Sequence, residues 1–434
     1  MDSDYTELQE STSWRKNYGF LNFFYVNIFF ACVSFSIVMP SIWKYIEREG
    51  GDEYFLALVL LIYSLGEFAG SLFFGYLHNY CTTKSSFLNC IGTGFLGSVF
   101  YFLADYVGDG GGLWLIFVGR MLQGLWTGGQ QAIEQSYVSE VVTDKHKLKV
   151  LSELGIFVVL GFVLGPVFGI LLSMVDLHLA SGLKLDAYTA PGYLQAVLTF
   201  LMMVMTNFWF QEVPHFKRPG RQQETKKPNV PPPKPLGVTV CLVLCFIIFN
   251  GFAVQETITT PLVTDSAHKY TESFDWNVTA AYGLFAGSGV ISIITFAAIH
   301  LWGHVLKERT LLELGLLLGG VGWLLLIDYQ RRHINLPMFF VGYVLISMSF
   351  PIGRNVVFTM LSKILGPCRA GGYMGWMLAV GAVARMLGPF WAVQSLTFSI
   401  KLGFGVTAGL FFIGMLLLGC FWKQCRPHPS QKKL

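Results

Sequence analysis

Six charged residues stand inside long apolar runs of this chain: Glu67, Arg120, Glu134, Glu256, Arg354 and Arg385. A carboxylate or guanidinium in hydrocarbon is costly unless it meets an opposite charge, a hydrogen-bonding partner or water, so each marks a candidate site. Arg120 opens a series with Gln123, Thr127, Gln130 and Glu134. Spacings of three and four put all five on one helix face. Two readings fit that stripe, the wall of an aqueous cavity, which is preferred, and hydrogen bonding between packed helices. Around Glu256, residues Asn250, Ala253, Thr257 and Thr260 share or border one face, and Pro261 follows, so this run is expected to break near the cavity. Glu67, Glu134 and Glu256 fit either proton carriers or fixed partners of arginine, against a purely structural Glu–Arg pair that locks one conformation. Arg385 offers an anion contact or an ion pair, against a structural role in the kink of its helix, whereas Arg354, nearer a helix end, can snorkel. The expected substrate or ion pathway is therefore Arg120, Gln123, Gln130, Glu134, Glu67, Asn250, Glu256, Thr260, Arg354 and Arg385.

The elements that hold these residues follow from composition. Hydrophobic residues make up 53% of the 434 positions and charged residues 13%, with 38 Phe and 47 Gly. A mean hydropathy of +0.54 exceeds what a single soluble core explains, and points to helices that face lipid and pack closely on one another. Apolar runs fall near 20–43, 54–77, 86–105, 113–136, 151–175 and 190–210, then near 237–262, 277–300, 310–328, 337–361, 371–395 and 402–422. Each is long enough to cross a bilayer as a helix. The spans group as 20–210 and 237–422, flanked by tails 1–19 and 423–434 and joined by a polar connection, 211–236. That connection holds Lys217, Arg218, Arg221, Lys226, Lys227 and Lys234 and ends in Pro231-Pro232-Pro233-Lys234-Pro235, a composition that stays solvated. Most of the 30 Lys and Arg fall on the side of both termini and this linker, and the excess survives when the linker is set aside, so that side is expected to be cytosolic. The first run is too long for a cleavable signal and is expected to be the first span. The eight cysteines form no disulfide pattern and read as reduced thiols, Cys425 being a position where a palmitoyl chain could attach.

Other chemistry is missing from the sequence. It has no phosphate-cradling Gly-rich loop, no GxSxG, no CxxC pair and no metal-spaced histidine cluster; His300 and His304 stand four apart without a third ligand. An enzyme is not expected, nor a cofactor, a metal or a nucleic-acid partner.

Close packing has its own signature. Gly161, Gly165 and Gly169 form one small-residue stripe in the fifth run, broken by Pro166, and Gly388-Pro389 repeats the dipeptide in the eleventh. Together with Arg120-Met121-Leu122-Gln123-Gly124 and Gly128-Gly129 in the fourth run, the GxxxGPxxG stripe resembles the major facilitator superfamily. After the second run, where that superfamily usually carries GxxxD(R/K)xGxRR, the chain reads Gly75 to Lys84 with Asn79 at the Asp position and Thr82 at the second Gly. Segments such as Phe35 to Trp43, Tyr63 to Gly66, Leu160 to Phe168, Ser362 to Pro367, Tyr373 to Trp376 and Ala384 to Pro389 resemble a lysosomal group within it, the major facilitator superfamily domain-containing protein 8 group. The chain departs from that group in having only Asp328 to Leu336 between spans nine and ten. The resemblance implies an all-α membrane fold of twelve helices in two six-helix bundles, moving a small, anionic solute by alternating access, with protons as a candidate coupling ion and the bilayer as its surroundings. The substrate would be a small molecule or an inorganic anion. An anion channel on the same fold and a non-transporting scaffold or receptor are the alternatives. Two short motifs bear on location and processing. Tyr5-Thr6-Glu7-Leu8 fits an endolysosomal sorting signal, with Tyr5 and Leu8 as its anchors, and Asn277-Val278-Thr279 fits a glycosylation sequon.

Overall fold

Hydrocarbon offers the backbone no hydrogen-bond partner, so an apolar run inside it must close its own N–H to C=O bonds, which a helix does within one segment. The computed structural model of the chain obeys that demand. It describes residues 19–39, 41–107, 111–173, 177–178, 184–186, 188–212, 233–264, 278–303, 305–327, 336–366, 370–398 and 400–426, and nearly all of them are helical. In chain order these are α1 (Phe20–Ser36), α2 (Ile42–Arg48), α3 (Glu53–Leu77), α4 (Thr83–Val107), α5 (Gly111–Val141), α6 (Asp144–Ser173) and α7 (Ala190–Phe208), then α8 (Pro235–Thr264), α9 (Val278–Trp302), α10 (Glu308–Ile327), α11 (Leu336–Leu365), α12 (Gly371–Phe398) and α13 (Ile400–Phe421). Eight of them are long and apolar enough to cross a membrane by length and composition, and α1 is a shorter apolar helix. Most of both tails, with Tyr5 and Leu8, most of the linker and Asn277 lie outside the described residues.

One expectation needs correction. The run 20–43 is not one helix: α1 stops at Ser36, a turn follows in which the Ser41 and Ile42 amides both bond to the Val38 carbonyl, and α2 starts at Ile42. Pro40 lies in that stretch of sequence, and proline has no amide to continue a helix. The all-α architecture holds, with one short addition between α6 and α7, a two-stranded antiparallel ladder of β1 (Leu177–His178) against β2 (Lys184–Leu185), Leu177 opposite Leu185.

Helices α1 and α3 to α7 pack on one another, as do α8 to α13. Within the first set α3 and α5 meet backbone to backbone. A Cβ on Gly124 or Gly128 would overlap the carbonyl of Tyr63 or Glu67, and one on Gly70 would overlap the Leu125 carbonyl. Lipid tails are as apolar as leucine, so such close approach, through dispersion, is what holds helices together in a bilayer. The stripe of α6 is used the same way against α1: a Cβ on Gly161 would stand 2.6 Å from Cys32 Cβ, and Gly169 faces the Ile37 carbonyl.

The ends that carry the termini and the linker share one face, called the linker face below. There Thr83 at the start of α4 donates its amide (3.1 Å) and hydroxyl (2.8 Å) to Glu212 after α7. Lys234 before α8 reaches the carbonyl of Lys423 after α13 at 3.3 Å. Rings of Phe20, Phe23, Phe24, Phe87, Tyr137 and Phe210 interlock just inside it. Cys425, buried on this face, is not available for acylation in this conformation.

On the opposite face Arg48 acts as a clasp. It lies 2.9 Å from Asp105 at the end of α4, pairs with Asp186 before α7, and sits over the rings of Tyr45 (5.1 Å) and Tyr188 (4.6 Å). Burial, with the Asp105 charge beside it, pushes the Glu49 carboxyl above its ordinary value. Burial acts on Asp186 in the same direction but is outweighed by the amides of Thr189 and Tyr188 and by Arg48, which hold its carboxyl below the usual range.

Candidate functional site

The polar stripe of α5 turns inward, into its own set of helices. Arg120 is fully buried. One terminal nitrogen donates to Gln123 Oε1 at 2.8 Å, Gln123 passes the bond to Gln195 of α7 at 2.8 Å, and Gln195 donates to the Ser34 carbonyl of α1. The guanidinium lies 4.3 Å from the centre of the Tyr63 ring and 6.0 Å from that of Phe35. Among the described residues no carboxylate pairs with it, and its Nε and second terminal nitrogen have no hydrogen-bond partner. Tyr63 is fixed in turn by a 2.7 Å bond to Thr127, whose hydroxyl donates to the Gln123 carbonyl. Two turns on, Glu134 Oε1 accepts from Gln130 and from Asn27 of α1, both at 3.1 Å. Of the two readings of the stripe, the structure favours hydrogen bonding between packed helices for Arg120, Gln123, Gln130 and Glu134.

The charges of the second set meet the centre differently. Arg385 of α12 pairs with Glu67 of α3, which ties the two sets together about midway along both helices. Its guanidinium also stands 5.8 Å from the centre of the Phe249 ring. Glu256 on α8 is exposed and, among the described residues, has no hydrogen-bond partner; it lies toward the end of its helix away from the linker face. Arg354 of α11 lies 5.5 Å from the centre of the Phe358 ring and, among the described residues, has no salt-bridged carboxylate. Near these charges rings gather from both sets: Phe252 stacks on Phe350 at 4.1 Å, Phe249 meets Phe350 edge-on at 5.3 Å, and Phe35 lies 5.1 Å from Tyr63.

Asn250 makes two contacts to α12. Its amide donates to the Ala384 carbonyl at 3.2 Å and accepts from the Trp391 indole at 3.3 Å, so both polar ends brace α8 on α12 in this conformation. Gly388 packs against the same spot, a Cβ there meeting Ala253 Cβ at 2.8 Å, with Pro389 next to it in α12. The side chains of Thr260 and Pro166 lie outside what the structure describes.

Toward the linker face the two sets close on each other. A Cβ on Gly75 of α3 would stand 2.7 Å from the Gly371 carbonyl and 3.0 Å from Gly375 Cα of α12. Ser139 of α5 and Ser362 of α11 share a 2.5 Å hydrogen bond, and Asn355 of α11 donates to Ser152 of α6 at 3.0 Å. Asn79 stands against Gly371 and Gly372, so at the position where the superfamily usually has Asp this chain closes on a neutral amide.

Sequence reasoning missed Gln195, Ser34 and Asn27, which complete the networks of Arg120 and Glu134. It also missed Glu153 of α6, which accepts from Tyr25 and lies 3.2 Å from His300 Nδ1 of α9. Gln195 and Asn27 are single polar residues in apolar runs and would have surfaced from a search for uncharged polar groups there.

Comparison with known proteins agrees with this geometry. The sequence pattern of the Major Facilitator Superfamily matches residues 24–389. Major facilitator superfamily domain-containing protein 8 of Xenopus laevis is 25% identical over 496 aligned positions, which span 99% of this chain and 96% of the relative. Among solved structures, the human organic anion transporter MFSD10 (TETRAN) superposes with a TM-score of 0.71 at 16% identity, covering 92% of this chain and 99% of its own. The proton:xylose symporter XylE, bound to 6-bromo-6-deoxy-D-glucose, superposes with a TM-score of 0.77 at 11% identity, covering 96% and 98%.

Proposed function

The chain belongs to the major facilitator superfamily, and on that premise we propose that it carries a small organic anion across an endolysosomal membrane by alternating access, with protons as the coupling ion. Membership makes it a multi-pass membrane transporter rather than an enzyme. The observation that carries the finer reading is Arg354, a guanidinium inside the bundle with no salt-bridged carboxylate among the described residues. A buried cation of this kind invites an anion from outside, and arginine's planar fork suits a carboxylate or phosphate. Phe358 lies against Arg354, and near Arg385 Phe249 meets Phe350, on which Phe252 is stacked; such rings favour an anion with an apolar body over a bare inorganic ion. MFSD10, which shares the fold, is described as an organic anion transporter, in keeping with that choice.

Alternating access is supported by the closed linker face and by exposed Glu256 on the far half of α8. Glu67, paired with Arg385 across the two sets, and Glu256 are the carboxylates positioned for proton coupling. The cytosolic orientation of the linker face rests on the Lys/Arg bias, and the endolysosomal location on the resemblance and on Tyr5 to Leu8. The test is uptake of labelled organic anions by proteoliposomes holding the full chain under an imposed pH gradient. Saturable, gradient-driven uptake lost in Arg354→Gln is expected. Equal uptake by Arg354→Gln would remove the assigned anion contact, and currents far above carrier turnover would replace the carrier with a channel.

A further inference from the structure

Where α6 crosses α9 near the linker face, the two helix sets interlock along three levels. A Cβ on Gly155 would stand 2.6 Å from the Phe296 ring tip, and one on Gly303 would meet Leu148 at 3.1 Å. Between these levels Glu153 of α6 presents one carboxylate oxygen, Oε1, to His300 Nδ1 at 3.2 Å. Its other oxygen accepts the hydroxyl of Tyr25, whose ring is stacked on Phe157 at 4.8 Å. Tyr25, Phe157 and Glu153 all belong to the first set, so that half is organised before the two sets meet. His300 is the partner from the second set, and its imidazole can take up or release a proton.

We propose that Glu153 and His300 form a proton-operated latch on the linker face, in which a proton on His300 converts a weak contact into an ion pair and holds that face closed. The latch lies apart from Glu67, Glu256 and the arginines of the centre, and rests on the alternating-access reading. A neutral imidazole gives Glu153 at most one hydrogen bond, whereas an imidazolium gives a charge-assisted bond to an acceptor already fixed by Tyr25. Of the helices packed on α9, α6 also carries Asp144, Lys145, His146, Lys147 and Lys149 in its first turns, and α11 carries Arg354 and Lys363, the latter paired with Glu308. α8 carries Glu256, far along the helix from its start on this face. The basic neighbours oppose the imidazolium, and Glu153 is the carboxylate whose contact with it the structure records. His300 keeps some exposure, its side chain being 19% accessible, so protons can reach it.

The latch predicts that acid favours the linker-closed shape. Spin labels on Phe208→Cys and Val305→Cys, both exposed at the linker face on opposite sets, report the gap by double electron–electron resonance. The full chain would be used in lipid nanodiscs, with Cys81 and Cys420 replaced by Ser. Between pH 8 and pH 5.5 the ratio of short to long distances should rise by about fivefold or more, the usual range for coupled sites. His300→Gln should flatten that dependence, and Glu153→Gln should flatten it and enlarge the long-distance population. Tyr25→Phe, a milder change that keeps the ring stack, should weaken the dependence and covers the case in which a Glu153 variant fails to elute as a single species. An unchanged pH dependence in His300→Gln, or in both Glu153→Gln and Tyr25→Phe, overturns the latch. The readout is a distance, so a failure of organic-anion uptake leaves this result standing.

Discussion

Replacing Arg385 by Gln should damage the protein more than replacing its partner Glu67 by Gln, and replacing both should damage it less than losing Arg385 alone. The asymmetry follows from exposure. The Glu67 side chain is 7% accessible and that of Arg385 30%. Removing Arg385 strands a carboxylate that water hardly reaches, the situation in which breaking a buried pair costs roughly 3–5 kcal/mol. Removing Glu67 leaves a guanidinium that still meets water and lies over Phe249, so the loss should fall nearer the ~1 kcal/mol of exposed pairs. With both changed no charge is stranded, and the non-additivity should reach about 1–3 kcal/mol, as expected for residues in direct contact. The order of thermal midpoints, read from tryptophan fluorescence of the purified full chain, tests this. Wild type should come first, then Glu67→Gln, the double variant, and Arg385→Gln last. Additive losses, with the double variant lowest, would refute the pairing as the reason Glu67 tolerates its place.

Three further outcomes follow from the geometry. Gly124→Val should prevent α3 from seating on α5, since even its Cβ overlaps the Tyr63 carbonyl, and should appear as loss of the monodisperse peak in gel filtration. Arg120→Leu should destabilise the first helix set by leaving the buried Gln123 Oε1 without its donor, by about 1–3 kcal/mol, with organic-anion affinity unchanged because Arg120 is fully buried within its own helix set. A large affinity loss at full stability would return Arg120 to the pathway. The Arg48 clasp should respond to pH with two opposite signs. The raised Glu49 value means the folded chain takes up that proton before the unfolded one, so stability is gained as pH falls through it. The lowered Asp186 value means stability present above the ordinary carboxyl value and lost as pH falls through its own lower one. Melting scans from pH 7 to pH 3 should therefore show a rise before the fall, and Glu49→Gln should remove the rise.

The long apolar helices among the described residues were legible in sequence because the bilayer makes the same demand of every span, apolar side chains outside and closed backbone bonds inside. The break between α1 and α2 was not, since hydropathy runs unbroken through Ile37, Val38 and Met39 and only Pro40 interrupts it. The stripe of α5 shows a subtler limit. Periodicity correctly put Arg120, Gln123, Gln130 and Glu134 on one face, but what that face meets is decided by Gln195 and Asn27, which are remote in sequence. Asn250 read as a pathway residue for the same reason, its partners being the Ala384 carbonyl and Trp391 of α12. Glu153 escaped notice because it lies three residues into its apolar run beside Lys149, where a carboxylate reads as a solvated helix end.

The seam of Gly75, Gly371 and Gly375 bears on how cheaply the molecule can cycle. Surfaces that close through long side chains must freeze rotamers each time they meet, at up to about 2 kcal/mol for each Lys, Arg or Met immobilised. Glycine has no rotamers to freeze, so this part of the linker face loses almost no side-chain entropy on closing. Nor does it have much attraction to overcome on parting, since dispersion between a few backbone atoms fades within an ångström or so. In the proposed alternating-access cycle, such a seam would leave the open and closed shapes close in free energy, so that one proton or one bound anion would decide between them.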